Sequence, residues 1–197
     1  INKDLKRLAD NRDFSHAYIF FGTEQTGKRR VALGLANYFE RGNFGLPGGR
    51  PLNDARQIEP NPEKTIGIDV VRELKNFLSQ KPNVSPYRSV IINDAEFLTP
   101  EAQNALLRLT EEPPPSSLLI LVLRDPETLA PTLVSRFQKI YFGALQTPIV
   151  KTWLEKELNI EAKKAEEIAE ISRGKPGLAE AMLSDKKEIT QGMIGRA

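Results

Sequence analysis

Two spacings of hydrophobic residues divide the chain into predicted strands and helices. Residues 17–21 and 118–123 are apolar without interruption, which is typical of strands covered on both faces, and residues 89–92 form a short β-branched strand. Residues 140–142 predict a last strand, and residues 57–59 predict a short one. Together these segments predict an α/β protein with a central parallel sheet.

Apolar side chains that recur at intervals of three or four positions predict the helices. One helix carries Val71, Leu74 and Leu78, and another is capped by Thr99 with Pro100 at its first position. The other predicted helices lie around Leu5 and Leu8, around Val31, Leu35 and Phe39, around Val150 and Leu154, from 162 to 171, and around Leu178 and Met182.

Strand patterns stop after residue 142, and only helical spacing follows. This change predicts a boundary between a sheet domain at 1–145 and a helical domain at 146–197. Thr147 is the expected cap of the first of three short helices in the second domain, with Pro148 after it. Residues 42–65 contain several Gly and Pro and predict an irregular connection.

Composition narrows the class of protein. The 197 residues carry 28 basic and 26 acidic side chains, a formal net charge of +2, so overall charge gives no reason to expect binding to nucleic acid or membranes. The absence of cysteine removes disulfides and thiolate zinc sites. No apolar run approaches the ~18 residues of a membrane-spanning helix. We therefore expect a cytoplasmic protein of one or two domains.

A candidate phosphate-binding loop follows the first predicted strand and leads into a helix. It matches seven of the eight positions of the motif G-x-x-x-x-G-K-[ST]. Its glycines let backbone N–H groups turn toward an anion, and the helix N-terminus and Lys28 add positive charge. Phosphate binding is the prediction, and a glycine-bearing turn without a ligand is the alternative. The loop consists of Gly22, Thr23, Glu24, Gln25, Thr26, Gly27, Lys28 and Arg29.

The mismatch falls at Arg29. The motif requires Ser or Thr there, because the hydroxyl binds the magnesium ion of the nucleotide, whereas arginine has five N–H donors and no lone pair for a metal. We therefore predict ATP as the ligand of a degenerate site, with Mg²⁺ present only together with nucleotide, and expect binding more than hydrolysis. The sequence leaves open whether Arg29 takes the metal position or pairs with phosphate.

A metal-site acid is expected at the end of a neighbouring strand. Asp94 occupies that position, and an ordinary turn residue is the alternative reading. Ala95 replaces the adjacent glutamate that polarises water in P-loop ATPases, and Glu96, one position further, is expected to point elsewhere. Leu123 and Arg124 stand where a polar phosphate sensor is often found. Each change removes a part of hydrolysis chemistry.

Several further motifs follow one another along the chain. Besides the loop, they are Ser15-His16-Ala17-Tyr18, NDAEFLT at 93–99, QNALLRLTEEPP at 103–114 and TLVSRF at 132–137. Taken in this order, they resemble bacterial DNA polymerase III clamp-loader subunits, and among them the delta-prime type. The resemblance extends from about Leu5 to about Leu183 and is more specific than the loop alone.

This resemblance implies an AAA+ fold, in which a three-layer αβα parallel sheet is followed by a three-helix lid. Full-length members add a C-terminal collar domain, which we expect to be absent here, and many carry zinc-binding cysteines, whereas this sequence contains no cysteine. By resemblance, Lys28 is the phosphate lysine, Asp94 the metal-site acid, and Arg136 the arginine that reaches ATP held by a neighbouring subunit. Phe137 replaces the family's next cysteine, and residues 174–177 replace the lid arginine of motor subunits.

The function implied by the resemblance is a stator that donates an arginine finger and aids ATP-dependent loading of the sliding clamp in replication. Its implied partners are gamma/tau-type and delta-type subunits, with the clamp and DNA reached through the assembly and no membrane partner. An independent P-loop ATPase and a purely structural scaffold are the alternatives. Nucleotide occupancy, direct DNA contact and truncation of the chain stay open.

Overall fold

The computed structural model describes residues 2–10 and 14–183, and its strands and helices follow the predicted order. None of the described helices is long and apolar enough to cross a membrane. The strands are β1 (Ala17–Gly22), β2 (Ala55–Ile58), β3 (Arg88–Ile92), β4 (Ser117–Val122) and β5 (Gln138–Phe142). The helices are α1 (Asn2–Asp10), α2 (Lys28–Arg41), α3 (Ile68–Leu78), α4 (Pro100–Glu111), α5 (Pro131–Val134), α6 (Thr147–Glu157), α7 (Ala162–Ile171) and α8, described over 176–183.

The strands of the described chain form one five-stranded sheet in the order β2-β3-β4-β1-β5. β4 lies parallel to both β1 and β3, and β3 lies parallel to β2. The register pairs Phe20 with Val122 and Ile92 with Leu121, so the carboxyl ends of β1, β3 and β4 lie at one edge of the sheet. Ligands of parallel sheets bind at this edge, so the candidate residues that follow β1 and β3 stand where a site is expected.

The apolar runs that predicted the strands are buried. Every residue of β3 and β4 is buried. Leu74 and Leu106, from the apolar faces of α3 and α4, are 1% and 0% exposed. Burying a Leu or Ile side chain contributes about 1.5–3 kcal/mol, so this cluster is a main source of stability. Its buried members include Ala17, Ile19, Ile66, Val71, Leu74, Phe77, Leu78, Val90, Ile92, Leu98, Ala102, Leu106, Leu109, Leu119, Leu121, Leu133 and Phe137.

A buried carboxylate fixes the loop that precedes β3. Asp54 is 1% exposed, and its two oxygens accept hydrogen bonds from the backbone N–H groups of Asn83 (2.8 Å), Val84 (2.7 Å) and Ser85 (2.9 Å). The Nη1 atom of Arg88, itself buried, lies 3.5 Å from Asp54 Oδ1. One side chain therefore satisfies three loop donors and one guanidinium, a role that the sequence pattern did not indicate.

The chain divides into two compact units. Of the described residues, one unit comprises 2–10, 14–22 and 28–141, and the other comprises 23–27 together with 142–183. The domain boundary predicted after residue 145 stays a prediction. The second unit has its own apolar core, in which α6, α7 and α8 pack together through Val150, Leu154, Ala165, Ile168, Ala169 and Ala179.

Gly174, in the turn between α7 and α8, has a backbone that only glycine adopts readily. Its φ is +76°, and its carbonyl oxygen accepts a hydrogen bond from the N–H of Leu145 at 2.8 Å. A Cβ atom at this position would lie 2.0 Å from the Leu145 carbonyl oxygen. Both the positive φ and the close approach therefore exclude a side chain here.

Two helix starts test the predicted caps. Thr99 does cap α4, because its Oγ1 accepts a hydrogen bond from the N–H of Ala102 at 3.3 Å. The prediction for Thr147 was wrong: this residue lies inside α6, and the N-cap is Gln146, which makes no side-chain cap bond. The sequence analysis also missed α5, because four residues are too few to show a helical period.

Candidate functional site

The candidate phosphate loop lies between the end of β1 and the start of α2, as predicted. Gly22 and Gly27 have φ values of +119° and +90°, which glycine adopts at no steric cost, and Gln25 has a φ of +61°. Thr26 is buried, and its hydroxyl donates a hydrogen bond to the carbonyl oxygen of Thr23 at 2.7 Å. The segment therefore has the local strand, turn and helix geometry that the motif requires.

The loop also contacts the first turn of α8, which belongs to the same compact unit as residues 23–27. The N–H of Gly177 donates a hydrogen bond to the carbonyl oxygen of Gln25 at 2.8 Å. A Cβ atom on Gly177 would lie 3.1 Å from the Cα of Gln25, tighter than ordinary contacts. Residues 174–177 were predicted to replace the lid arginine of motor subunits, and the contact at Gly177 leaves little room for a side chain.

The side chain of Lys28 reaches back to Gly22, the first residue of the loop. This side chain is 8% exposed, and its Nζ donates a hydrogen bond to the carbonyl oxygen of Gly22 at 2.7 Å. An ammonium group beside backbone N–H groups at a helix N-terminus can bind an anion. Phosphate binding by the loop and Lys28 stays a prediction.

Arg29 is paired with a carboxylate. Its Nη2 lies 3.0 Å from Oε1 of Glu59, and the two side chains are 57% and 43% exposed. The same oxygen of Glu59 accepts a hydrogen bond from Nδ2 of Asn93 at 3.0 Å. A guanidinium cannot coordinate a metal, so position 29 does not fit the magnesium ion that usually accompanies a nucleotide.

The turn after β3 begins at a residue with a left-handed backbone conformation. Asp94 is exposed and left-handed, with a φ of +46°, and it starts a 3-10 turn whose first residue, Ala95, is buried. Burial raises the pKa of the Glu96 carboxyl, the charge of Asp94 raises it further, and the charges of Arg124 and Lys28 oppose the rise. The charges that act on the Glu96 carboxyl are therefore those of Asp94, Arg124 and Lys28.

At the end of β4, an apolar and a charged residue occupy the positions where a polar phosphate sensor is often found. Leu123 is 1% exposed and belongs to the core, whereas Arg124 is mostly exposed, with its Nε 3.8 Å from Oε1 of Glu96. The carbonyl oxygen of Arg124 accepts a hydrogen bond from the N–H of Gly22 at 2.9 Å, which joins the ends of β1 and β4. The charged replacement predicted from the sequence is therefore an exposed side chain.

Arg136 follows α5 and has an exposed guanidinium. Leu133 and Phe137, three residues before it and one after it, are 1% and 6% exposed and fix this segment in the core. The Arg136 side chain is 51% exposed, and its Nη2 donates a hydrogen bond to Oε1 of Glu111 at 3.0 Å. A charge fixed in place and open to solvent on one side can act on another molecule.

Two residues of α4 whose side chains contact the residues flanking α5 received no role from the sequence, although both lie within the motif at 103–114. The Nε2 of Gln103 donates to the carbonyl oxygen of Leu98 at 3.1 Å, and its Oε1 accepts from the N–H of Ala130 at 2.8 Å. Gln103 thereby ties the turn after β3 to the residue that starts α5. Glu111 is the second, through its contact with Arg136.

In the part of the chain that the structure describes, neither clustered metal-ligating side chains nor the single histidine forms a second candidate site. Within residues 2–10 and 14–183, no group of three or more His, Cys, Asp or Glu side chains is placed to hold a metal ion. His16 lies beside β1, where its Nε2 is 3.2 Å from the carbonyl oxygen of Thr110. This contact favours a structural role for His16 over an acid or base role.

Comparison with known proteins identifies similar sequences. A family model described as DNA polymerase III, delta subunit, matches residues 50–146. The delta-prime subunit of DNA polymerase III from Escherichia coli K12 is 36% identical over 124 residues, which cover 61% of this chain and 37% of that protein. The tau subunit from Bacillus subtilis 168 is 27% identical over 179 residues, which cover 85% of this chain and 31% of that protein. The chain thus spans well under half of these relatives.

Solved structures support the fold class. A DNA polymerase III gamma subunit-related protein from Thermotoga maritima superposes with a TM-score of 0.62 at 29% identity, over 85% of this chain and 57% of that one. The RuvB Holliday junction branch migration motor from the same organism superposes with a TM-score of 0.64 at 18% identity, over 90% and 57% of the two chains. The predicted α/β fold of the P-loop AAA+ type is confirmed.

Proposed function

We propose, since this chain belongs to the bacterial DNA polymerase III clamp-loader subunits of the delta-prime type, that it is a stator which lends Arg136 to ATP bound by a neighbouring subunit. In this role it aids ATP-dependent loading of the sliding clamp during replication. Its direct partners are subunits of the gamma/tau and delta types, and it reaches the clamp and DNA through the assembly. Its place of action is the cytoplasm.

The observation that carries the proposal is the position of Arg136. Its backbone is anchored by the buried Leu133 and Phe137, while 51% of its side chain is exposed. A guanidinium placed against a transferring phosphoryl group stabilises the charge that spreads over its oxygens. Such a group needs a rigid backbone and an open face, and Arg136 has both.

The chain's own loop supports binding without hydrolysis. Gly22, Gly27 and Lys28 retain the donors for a phosphate, so a bound ATP would be held by these groups. Arg29 lacks a lone pair for magnesium and is paired with Glu59, and Ala95 stands at the position of the catalytic glutamate. Asp94 remains the proposed counterpart of the metal-site acid, but the groups around it are those of an inactive site.

Two other functions remain as alternatives. An independent ATPase would need magnesium-dependent turnover by the isolated chain, which the pairing of Arg29 disfavours. A purely structural scaffold would need neither Lys28 nor Arg136 for the activity of its assembly. The exposure of Arg136 favours the stator over the scaffold.

Reconstitution tests the proposed function directly. Loaders are assembled from gamma/tau-type and delta-type subunits with and without this chain, and ATP hydrolysis stimulated by clamp and primed DNA is measured. We expect stable assembly and stimulated hydrolysis only when the chain is present. Full stimulation without it, or failure of the chain to join the assembly, would contradict the proposal.

Nucleotide binding by the isolated chain gives a second prediction. In a titration with labelled ATP, we expect magnesium to change the affinity less than about threefold, because position 29 offers no metal ligand. Replacing Lys28 with alanine should weaken binding by about tenfold or more, since a charged hydrogen bond contributes about 1.5–3 kcal/mol.

Lys75→Ala is the matched control for this titration, because Lys75 lies on the exposed face of α3 and its replacement makes the same change in charge. Its affinity should equal that of the unaltered chain. Magnesium-dependent turnover that disappears with Lys28→Ala would instead establish the independent ATPase.

A further inference from the structure

The guanidinium of Arg136 is held by one particular carboxylate. Glu111 is the last residue of α4, and its Oε1 lies 3.0 Å from Arg136 Nη2, with side-chain exposures of 43% for Glu111 and 51% for Arg136. The two residues are 25 positions apart in sequence. The contact therefore links the end of α4 to the residue that the proposed function depends on.

Glu111 stands in an electrostatically unfavourable place. The C-terminus of a helix carries partial negative charge, and a carboxylate there is destabilised unless a cation lies beside it. Arg136 supplies that cation. Because exposed ion pairs contribute little to folding stability, the main consequence of this pair is the orientation it gives to the Arg136 side chain.

α4 holds the short helix α5 from both sides. Gln103, in the first half of α4, accepts a hydrogen bond from the N–H of Ala130, the residue before α5, at 2.8 Å. Glu111, at the end of α4, holds Arg136, which lies two positions after the last residue of α5. A helix of four residues has little rigidity of its own, so these contacts with α4, together with the buried Leu133 and Phe137, fix the positions of α5 and Arg136.

The contact occupies only a small part of the guanidinium. Arginine has five N–H donors in a planar fork, and the bond to Glu111 uses one of its terminal nitrogens. Among the described residues, the Arg136 side chain forms its hydrogen bond and ion pair with Glu111. The remaining donors can therefore bind an anion while Glu111 keeps its hold.

We propose that Glu111 is a positioning residue that restrains Arg136 in the orientation needed to meet an anionic phosphoryl group on a neighbouring subunit. This inference rests on the proposed function. A restrained guanidinium loses less side-chain freedom when it binds, so pre-organisation speeds the step that Arg136 assists.

The test uses the reconstituted loader with the full chain and measures kcat and KM for ATP separately. Glu111→Ala removes the restraint, Glu111→Gln keeps an oxygen that can accept the same hydrogen bond, and Glu112→Ala is the matched control. Glu112 is an exposed neighbour of the same charge. Arg136→Ala alone, and Arg136→Ala combined with Glu111→Ala, complete a double-mutant cycle.

We expect Glu111→Ala to lower kcat about 2- to 5-fold, the size of effect typical of an exposed ion pair, with KM and assembly unchanged. Glu111→Gln should recover most of the activity, and Glu112→Ala should equal the unaltered loader. In the Arg136→Ala background, Glu111→Ala should have no further effect.

The outcomes separate this inference from the proposed function. Normal kcat in Glu111→Ala, with Arg136→Ala impaired, would overturn the positioning role and leave the finger standing. A higher kcat in Glu111→Ala would mean that Glu111 holds Arg136 away from the phosphoryl group. If Glu111→Ala lowered kcat equally in the Arg136→Ala background, its effect would be a general structural one. Either result overturns the inference. If Arg136→Ala itself has no effect, the proposed function falls first.

Discussion

Replacing Arg136 with alanine is expected to slow ATP hydrolysis about 10³-fold or more at the one nucleotide site that this residue faces in an assembled loader. The reason is that a guanidinium stabilises the charge on the transferring phosphoryl group, and no other group of this chain is proposed to replace it. Single-turnover hydrolysis, in a loader whose other ATP sites are inactivated, measures this effect without dilution by those sites.

Two further variants sharpen this prediction. Arg136→Lys keeps the charge but loses the planar fork, so we expect it to recover only a small part of the rate. Arg72→Ala is the matched control, because Arg72 is also an exposed arginine paired with a carboxylate, Asp69, at 2.8 Å. Unchanged hydrolysis by Arg136→Ala in an intact assembly would favour the structural scaffold.

Replacing Asp54 with alanine is expected to destabilise the fold by about 3–5 kcal/mol, because it leaves buried charge and donors without their partner. Asp54 is 1% exposed and accepts hydrogen bonds from the N–H groups of Asn83, Val84 and Ser85. Arg88 would also lose its carboxylate. Denaturation by urea, followed by circular dichroism, measures the change in the free energy of unfolding.

Asp69→Ala provides the contrast for this measurement. Asp69 is a carboxylate of α3 that is 85% exposed and pairs with Arg72 on the surface, so its removal should destabilise by less than about 1 kcal/mol. An Asp54→Ala loss as small as that of Asp69→Ala would show that the loop before β3 does not depend on the buried carboxylate.

The dependence of stability on pH provides a second test of the role of Asp54. Burial raises the pKa of Asp54, but the N–H groups of Asn83, Ser85 and Val84 and the charge of Arg88 outweigh burial and hold the pKa below its usual 3.8. A carboxyl whose pKa is lowered by folding stabilises fully above its unfolded pKa and loses this contribution as pH falls through its folded value. Below about pH 3.8, the unaltered protein should therefore lose the stability that ionised Asp54 contributes. Asp54→Asn has no carboxyl at this position, so its free energy of unfolding should fall less over the same change in pH.

Much of the sheet could be predicted because its signal is local. The apolar runs at 118–123 and 89–92 correspond to β4 and β3, since strands covered on both faces need side chains of one kind throughout. Thr99 and Pro100 marked the start of α4 for an equally local reason. At α6 the same capping rule was wrong by one residue, because it predicted Thr147 as the cap and the N-cap is Gln146.

The loop was also readable from its residues, because a phosphate motif is a short contiguous spacing. The order of motifs from Ser15 to Phe137 identified the family for the same reason, and the changes at Arg29 and Ala95 could be read one position at a time. Sequence therefore determined the fold class, the family and the position of each candidate group along the chain.

The partners of those groups depend on the tertiary structure, because they are far apart in sequence and follow no period. Glu111 meets Arg136 across 25 positions, and Arg29 meets Glu59 only because α2 and the end of β2 lie together. The left-handed conformation of Asp94, which begins the turn that carries Glu96, likewise follows from no spacing in the sequence. Spacing records which chemical groups a chain possesses, whereas packing alone decides which of them come within hydrogen-bond distance.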